Sequence, residues 1–193
     1  MRKKRQVLAV TVLSVVGAAL IAPTAAVAGT LDQQQVDVSG GDSYVDSGQS
    51  LGQTFTAGLT GRLDQVDLSL RVLNAPTLSM TVQIRNVTAG QPGSTVLAAQ
   101  TITPSLITGA FAFAPITFAT PASVAAGTHY AIVAYSATVP PEEFSWARTT
   151  SDVYAGGGGL YVSSSPPSGS WLAVGARRNH SLRSLWPSVA HVA

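Results

Sequence analysis

Residues 48–52, Gly48-Gln49-Ser50-Leu51-Gly52, fit the G-x-S-x-G spacing of a serine hydrolase. That chemistry needs a sharp strand-to-helix turn that lifts the serine above a parallel sheet, with an acid and then a histidine following in sequence. Here Gln53-Thr54-Phe55-Thr56 reads as a strand, and the one histidine before residue 176, His129, falls inside another strand pattern. Ser50 is therefore expected to be a turn residue. A second catalytic reading pairs Glu142-Glu143 with Asp152 or Asp64 as glycosidase acid and base. Neighbours on an extended segment face opposite sides, so Glu142 and Glu143 cannot both reach one substrate. After Pro140-Pro141 they are expected in a solvated loop, with Asp64 and Asp67 at a strand entrance. No enzymatic activity is expected.

Binding chemistry has two candidate sets. Asp37, Asp42 and Asp46 cluster in a Gly/Ser-rich segment, where oxygens could converge on a structural calcium ion, which takes six to eight of them from a flexible loop. The ordinary alternative is turn chemistry. Trp146, Tyr154, Tyr161 and Trp171 fall within 26 residues around Gly156–Gly159. Sugars stack their C–H faces on exposed aromatic rings, which lose little rotamer freedom. Trp146 sits in an apolar strand and is expected in the core, leaving Tyr154, Tyr161 and Trp171 as the candidate ligand contacts. Gly156–Gly159 is no phosphate loop, because neither a Lys-Ser/Thr pair nor a helix follows. The N-x-[ST] triplets at Asn86 and Asn179 are weak signals.

The elements that must position these residues begin after residue 28. Arg2, Lys3, Lys4 and Arg5 precede an apolar run from Val7 to Ala22, then Pro23 and Ala26-Val27-Ala28. A basic start, a greasy stretch and an A-x-A site make a secretory signal peptide, too short for a comfortable membrane span. The mature chain is expected to begin at Gly29, outside the cytoplasm, with no membrane anchor. Its loss reverses the charge: the formal +2 of the whole chain becomes −2, with seven arginines, nine acids and no lysine. Without a basic field nothing drives phosphate binding, so nucleic acid is excluded as a partner. The remaining 165 residues suit one domain, and the absence of cysteine leaves an apolar core as its support.

Periodicity then assigns the class. Val66, Leu68, Leu70 and Val72 alternate with Asp67, Ser69 and Arg71, and Met80, Val82 and Ile84 alternate with Thr81, Gln83 and Arg85. Each is a half-buried strand. Further strands are expected at Asp32–Asp37, Gln53–Ala57, Thr95–Thr103, Phe111–Phe118, Thr128–Ser136 and Phe144–Arg148, with Tyr130–Tyr135 central because both its faces are apolar. Gly, Pro, Asn and Asp clusters punctuate them, and no capped helical stripe lies between Gly29 and Gly175. The expectation is all-β: an antiparallel β-sandwich of jelly-roll type over residues 29–175.

Gln53-Thr54-Phe55-Thr56-Ala57-Gly58, Gly61-Arg62-Leu63-Asp64-Gln65-Val66-Asp67-Leu68, Val82-Gln83-Ile84-Arg85, Gly90-Gln91-Pro92-Gly93, Val96-Leu97-Ala98, Ala126-Gly127-Thr128-His129-Tyr130-Ala131-Ile132-Val133 and Tyr154-Ala155-Gly156-Gly157 before Trp171 form an ordered series. From about Asp32 to Trp171 it resembles the secreted bacterial jelly-roll accessory domains, choice-of-anchor and carbohydrate-binding-module-like. The resemblance implies the fold and an extracellular accessory domain, and the aromatic set Tyr154, Tyr161 and Trp171 makes polysaccharide the expected ligand of a non-catalytic binding module. The alternative is a structural or protein-interaction sandwich, with a cell-surface protein as partner and no small ligand. Such families close with a Phe/Thr/Tyr-rich strand soon after the Trp171 position. Residues 176–193 instead hold three of the seven mature arginines and two of the three histidines. They are expected to be an atypical tail, from a reading-frame change, that leaves a neighbouring strand edge unpaired.

Overall fold

A computed structural model describes residues 30–151, 154–175 and 179–186 of the 193. The leader with its Ala26-Val27-Ala28 site, Asp152 and residues 176–178 and 187–193 lie outside the described residues. Twelve strands follow in order: β1 (Thr30–Gln35), β2 (Asp42–Val45), β3 (Ser50–Thr56), β4 (Gly61–Leu73), β5 (Met80–Thr88), β6 (Gln91–Ile102), β7 (Ala112–Val124), β8 (His129–Ser136), β9 (Glu143–Ala147), β10 (Gly159–Val162), β11 (Leu172–Ala173) and β12 (Leu182–Trp186). Pro104–Leu106 forms a single 3-10 turn between β6 and β7.

All pairings are antiparallel, and they build two sheets that face each other as a sandwich. The first runs β1-β12-β4-β9-β2, with β7 along the other edge of β4. The second runs β11-β10-β3-β8-β5-β6. The alternation expected for β4 and β5 places Val66, Leu68, Leu70, Met80, Val82 and Ile84 in the core between the sheets. Their neighbours Asp67, Ser69 and Arg71 point away from it, as a period of two demands. The doubly apolar strand is indeed central: β8 lies between β3 and β5, and Ala131, Ile132, Val133 and Ala134 are wholly buried.

The long edge strands guard themselves. Pro115 and Pro121 interrupt β7, whose described pairing is with β4 alone. A residue without an N–H cannot extend the ladder to another chain, which suits an edge and no interior position.

The tail expectation is corrected. Residues 179–186 are part of the sandwich, and β12 is hydrogen-bonded on both edges, to β1 and to β4. Asn179, His180, Ser181, Leu182 and Ser184 are all buried. The physical reason is a set of partners far away in sequence. The His180 N–H donates to Gln53 Oε1 at 2.7 Å, and Gln53 Nε2 donates to Asn179 Oδ1 at 3.1 Å, joining the two sheets. Trp146 Nε1 donates to the Ser181 carbonyl at 2.7 Å, and its ring stacks on His180 with centroids 4.6 Å apart. The edge that this segment was expected to abandon is the one it fills.

Candidate binding face

The two sheets treat their outer faces differently. On the second sheet, Ala131, Val133, Val162 and Trp171 form an apolar cluster, backed by Val87, Tyr135 and Leu160. Trp171 lies over Gly52, where an added Cβ would come within 3.1 Å of the indole. Gln91 holds it there: Nε2 donates to the Trp171 carbonyl at 3.2 Å, and Oε1 accepts from its N–H at 3.3 Å. Trp171 is 6% exposed. Its role is to cover this sheet.

Tyr154 is 7% exposed and packs on the main core, with its hydroxyl donating to Gln33 Oε1 at 3.1 Å. Burial pushes its pKa up to about 12, with Asp32 adding to the effect. Tyr161 is half-buried against the same core and lines a cavity of about 180 Å³ with Ser43, Gln49, Leu51, Val174 and Gly175. Tyr154, Tyr161 and Trp171 therefore do not meet on one exposed face. The expected ligand platform is corrected, because two of its rings are spent on packing.

A shallow groove of about 370 Å³ lies on the same sheet, lined by Thr54, Val87, Gly90, His129 and Gly157. Its polar groups already have partners. Thr54 Oγ1 accepts from the Gly158 N–H at 2.8 Å, Thr56 Oγ1 donates to the Gly156 carbonyl at 2.9 Å, and His129 Nδ1 lies 3.1 Å from Thr56 Oγ1. The glycine loop rests so closely on β3 that a Cβ at Gly157 would fall 1.9 Å from the Thr54 carbonyl oxygen. Here the hydroxyls hold the loop.

The remaining sequence candidates are dispersed. Ser50 is buried and its hydroxyl donates to the Ser164 carbonyl. His129 pairs with Thr56, six positions further along β3, so about 20 Å of strand separates it from Ser50. Glu142 accepts from the Thr77 N–H at 3.0 Å in a loop, as the prolines before it suggest. Glu143 pairs with Leu73 at one end of β4, while Asp64 sits near the other, far beyond the spacing of a glycosidase pair. Burial raises the pKa of both, and Asp46 and Asp42 add to it at Glu143.

The calcium set is also corrected. Asp37 accepts from the Ser39 N–H at 2.8 Å and from Thr149 Oγ1 at 2.9 Å, and these bonds hold its pKa low. Asp46 accepts from the Gly48 N–H at 2.7 Å in a turn, and Asp42 pairs with Arg71 at 2.8 Å. Each carboxylate has its own local task. Among the described residues no group of three or more His, Cys, Asp or Glu side chains could hold a metal ion.

The outer face of the first sheet is the open one. Asp67, Ser69 and Arg71 line it from β4, Arg183 from β12, and Ser145 and Tyr44 from the rows beside Arg71. Tyr44 is 45% exposed. Two guanidinium groups lie on aromatic rings: Arg71 over Phe111 at 4.6 Å, and Arg183 over Phe113 at 4.2 Å. Phe113 is opposite Ser69, so Arg183 reaches across β4 over a small buried serine to find its ring. Such a contact contributes about 0.5–1 kcal/mol at a wet surface and fixes a side chain that otherwise samples many rotamers. The two cations differ in one respect: Arg71 is neutralised by Asp42, whereas Arg183 makes no ion pair among the described residues. Its cross-strand neighbour Asp67 instead accepts from Gln65 Nε2 at 2.7 Å.

Alternation placed Arg71 on an outward face. Nothing in the sequence joined Arg183 to Phe113, because they belong to strands that never pair with each other and touch only across β4.

No family model matches this sequence, and no curated protein matches it.

Proposed function

We propose that this chain is an extracellular, non-catalytic binding module that holds polysaccharide on the outer face of its first sheet. The observation that carries the reading is the pair of guanidinium groups held over Phe111 and Phe113 on the face that also carries the half-exposed ring of Tyr44. Flat, rigid polar groups next to apolar ring faces suit sugar chains, whose hydroxyl edges and C–H faces need both. The leader read in the sequence supports the location, and the sandwich is the architecture that the jelly-roll resemblance implies. Purified protein expressed from the full sequence should be retarded in native gels cast with its polysaccharide, and Arg71→Ala combined with Arg183→Ala should restore free migration. No retardation across a broad glycan panel would end this reading.

A structural or protein-interaction sandwich is the second reading, and one observation favours it. Leu106, Val139 and Leu78 are 71%, 65% and 48% exposed, on three loops that the strand pairing brings to one end of the molecule. Apolar loop tips gathered in this way are a feature of protein contacts.

A further inference from the structure

We propose that Arg183, steadied on Phe113, receives the carboxylate of an acidic glycan lying across the outer face of the first sheet. This names the ligand class for the face and rests on its reading as glycan-binding. Three observations lead there. Arg183 is a fixed charge, since its guanidinium lies 4.2 Å over the Phe113 ring and its Nε is shielded from solvent. That Nε has no acceptor, and no carboxylate lies within ion-pair distance among the described residues. The nearest acid by strand register, Asp67, is engaged by Gln65, which in turn accepts from Thr117 Oγ1 at 3.2 Å. A planar guanidinium makes two parallel bonds to a planar carboxylate, and with Nε shielded the two Nη groups are the ones left to make them.

The surroundings select among anions. Asp42 and Glu143 at the Arg71 end and Asp67 at the other give the face mixed charge. A dense polyanion such as a sulfated or nucleic-acid chain meets repulsion on both sides of the Arg183 guanidinium. A polymer with one carboxylate per sugar, spaced by uncharged hydroxyls, meets less of it. Uronate chains have that chemistry.

The test compares galacturonate oligomers with their methyl esters, which keep the sugar and remove the charge. Calorimetric titration of the full-sequence protein should show the acid form binding at least tenfold more tightly than the ester, with affinity falling as salt rises. Arg183→Gln should weaken the acid form at least fivefold. Asp67→Asn, which removes the nearest negative charge without touching the platform, should strengthen it severalfold. Melting curves for both variants establish that they fold. Equal affinity for acid and ester, or no change in either variant, overturns the inference. Retention of neutral glycans alone overturns it while leaving the glycan-binding function standing, and retention of no glycan at all overturns both.

Discussion

The outer faces of the two sheets make opposite use of their large side chains. On the second sheet the chain folds back over itself, and Trp171 seals β3 above Gly52. On the first sheet no described segment returns, and arginines from β4 and β12 lie over phenylalanines from the β7 side. Of the aromatic residues clustered between 146 and 171, Trp146 and Tyr154 are buried in the core, Tyr161 packs against it, and Trp171 serves as a roof. Phe111 and Phe113, on the open surface, lie 40 and 70 positions from their cationic partners Arg71 and Arg183. Sequence clustering of aromatics marks where the fold needs cover as readily as where a ligand sits.

The contrast is sharpest in stability. Trp171→Ala removes the roof and leaves a cavity over Gly52, so we expect a loss of about 3–5 kcal/mol, measured by denaturant unfolding. A change under 1 kcal/mol would mean that the two faces are equally dispensable to the fold. Between them sits His180, whose pKa burial draws down to about 3, with Arg148 pushing the same way. The unfolded chain takes up this proton near pH 6.5, the folded one only near pH 3. Stability is therefore fully present above pH 6.5 and declines as pH falls, by about 3 kcal/mol at pH 4 for this one group. His180→Phe keeps the stack on Trp146 and should flatten that part of the pH profile; an unchanged slope in circular-dichroism melts would show that other groups govern acid unfolding. The smallest effect belongs to the open face. Asp42→Asn breaks the pair with Arg71, both partly exposed, and should cost no more than about 1 kcal/mol. A larger loss would make the first face structural after all.

Much of the fold was legible because it rests on a local rule. The period of two in β4 and β5 and the doubly apolar run in β8 each carry their own assignment, and the structure places all three as expected. β2 was not legible: of Asp42-Ser43-Tyr44-Val45, only Val45 is wholly buried, too little for a pattern. β12 escaped because it is short, carries Arg183 next to its start and follows a run of charge. Its place is decided by Gln53, Gln35 and Trp146, none of them nearby in sequence. The site was less legible still. Trp171 looks the same in sequence whether it faces water or Gly52, and a Cβ-free position on another strand is what settles the matter.

β1 is held by a strand from the far end of the described chain. Among the described strands its partner is β12, and the bulge at Gln33 is closed by the hydroxyl of Ser184, 151 positions later. During synthesis β1 must wait for almost the whole domain before it has anything to pair with, and a loop of that length closes slowly. Until β12 emerges, the first sheet lacks the strand that ties its beginning to its middle. Both extremes of the described chain thus share one hydrogen-bonded seam, and cutting away residues 182–186 would strand β1 and bare β4 along Gln65–Leu68.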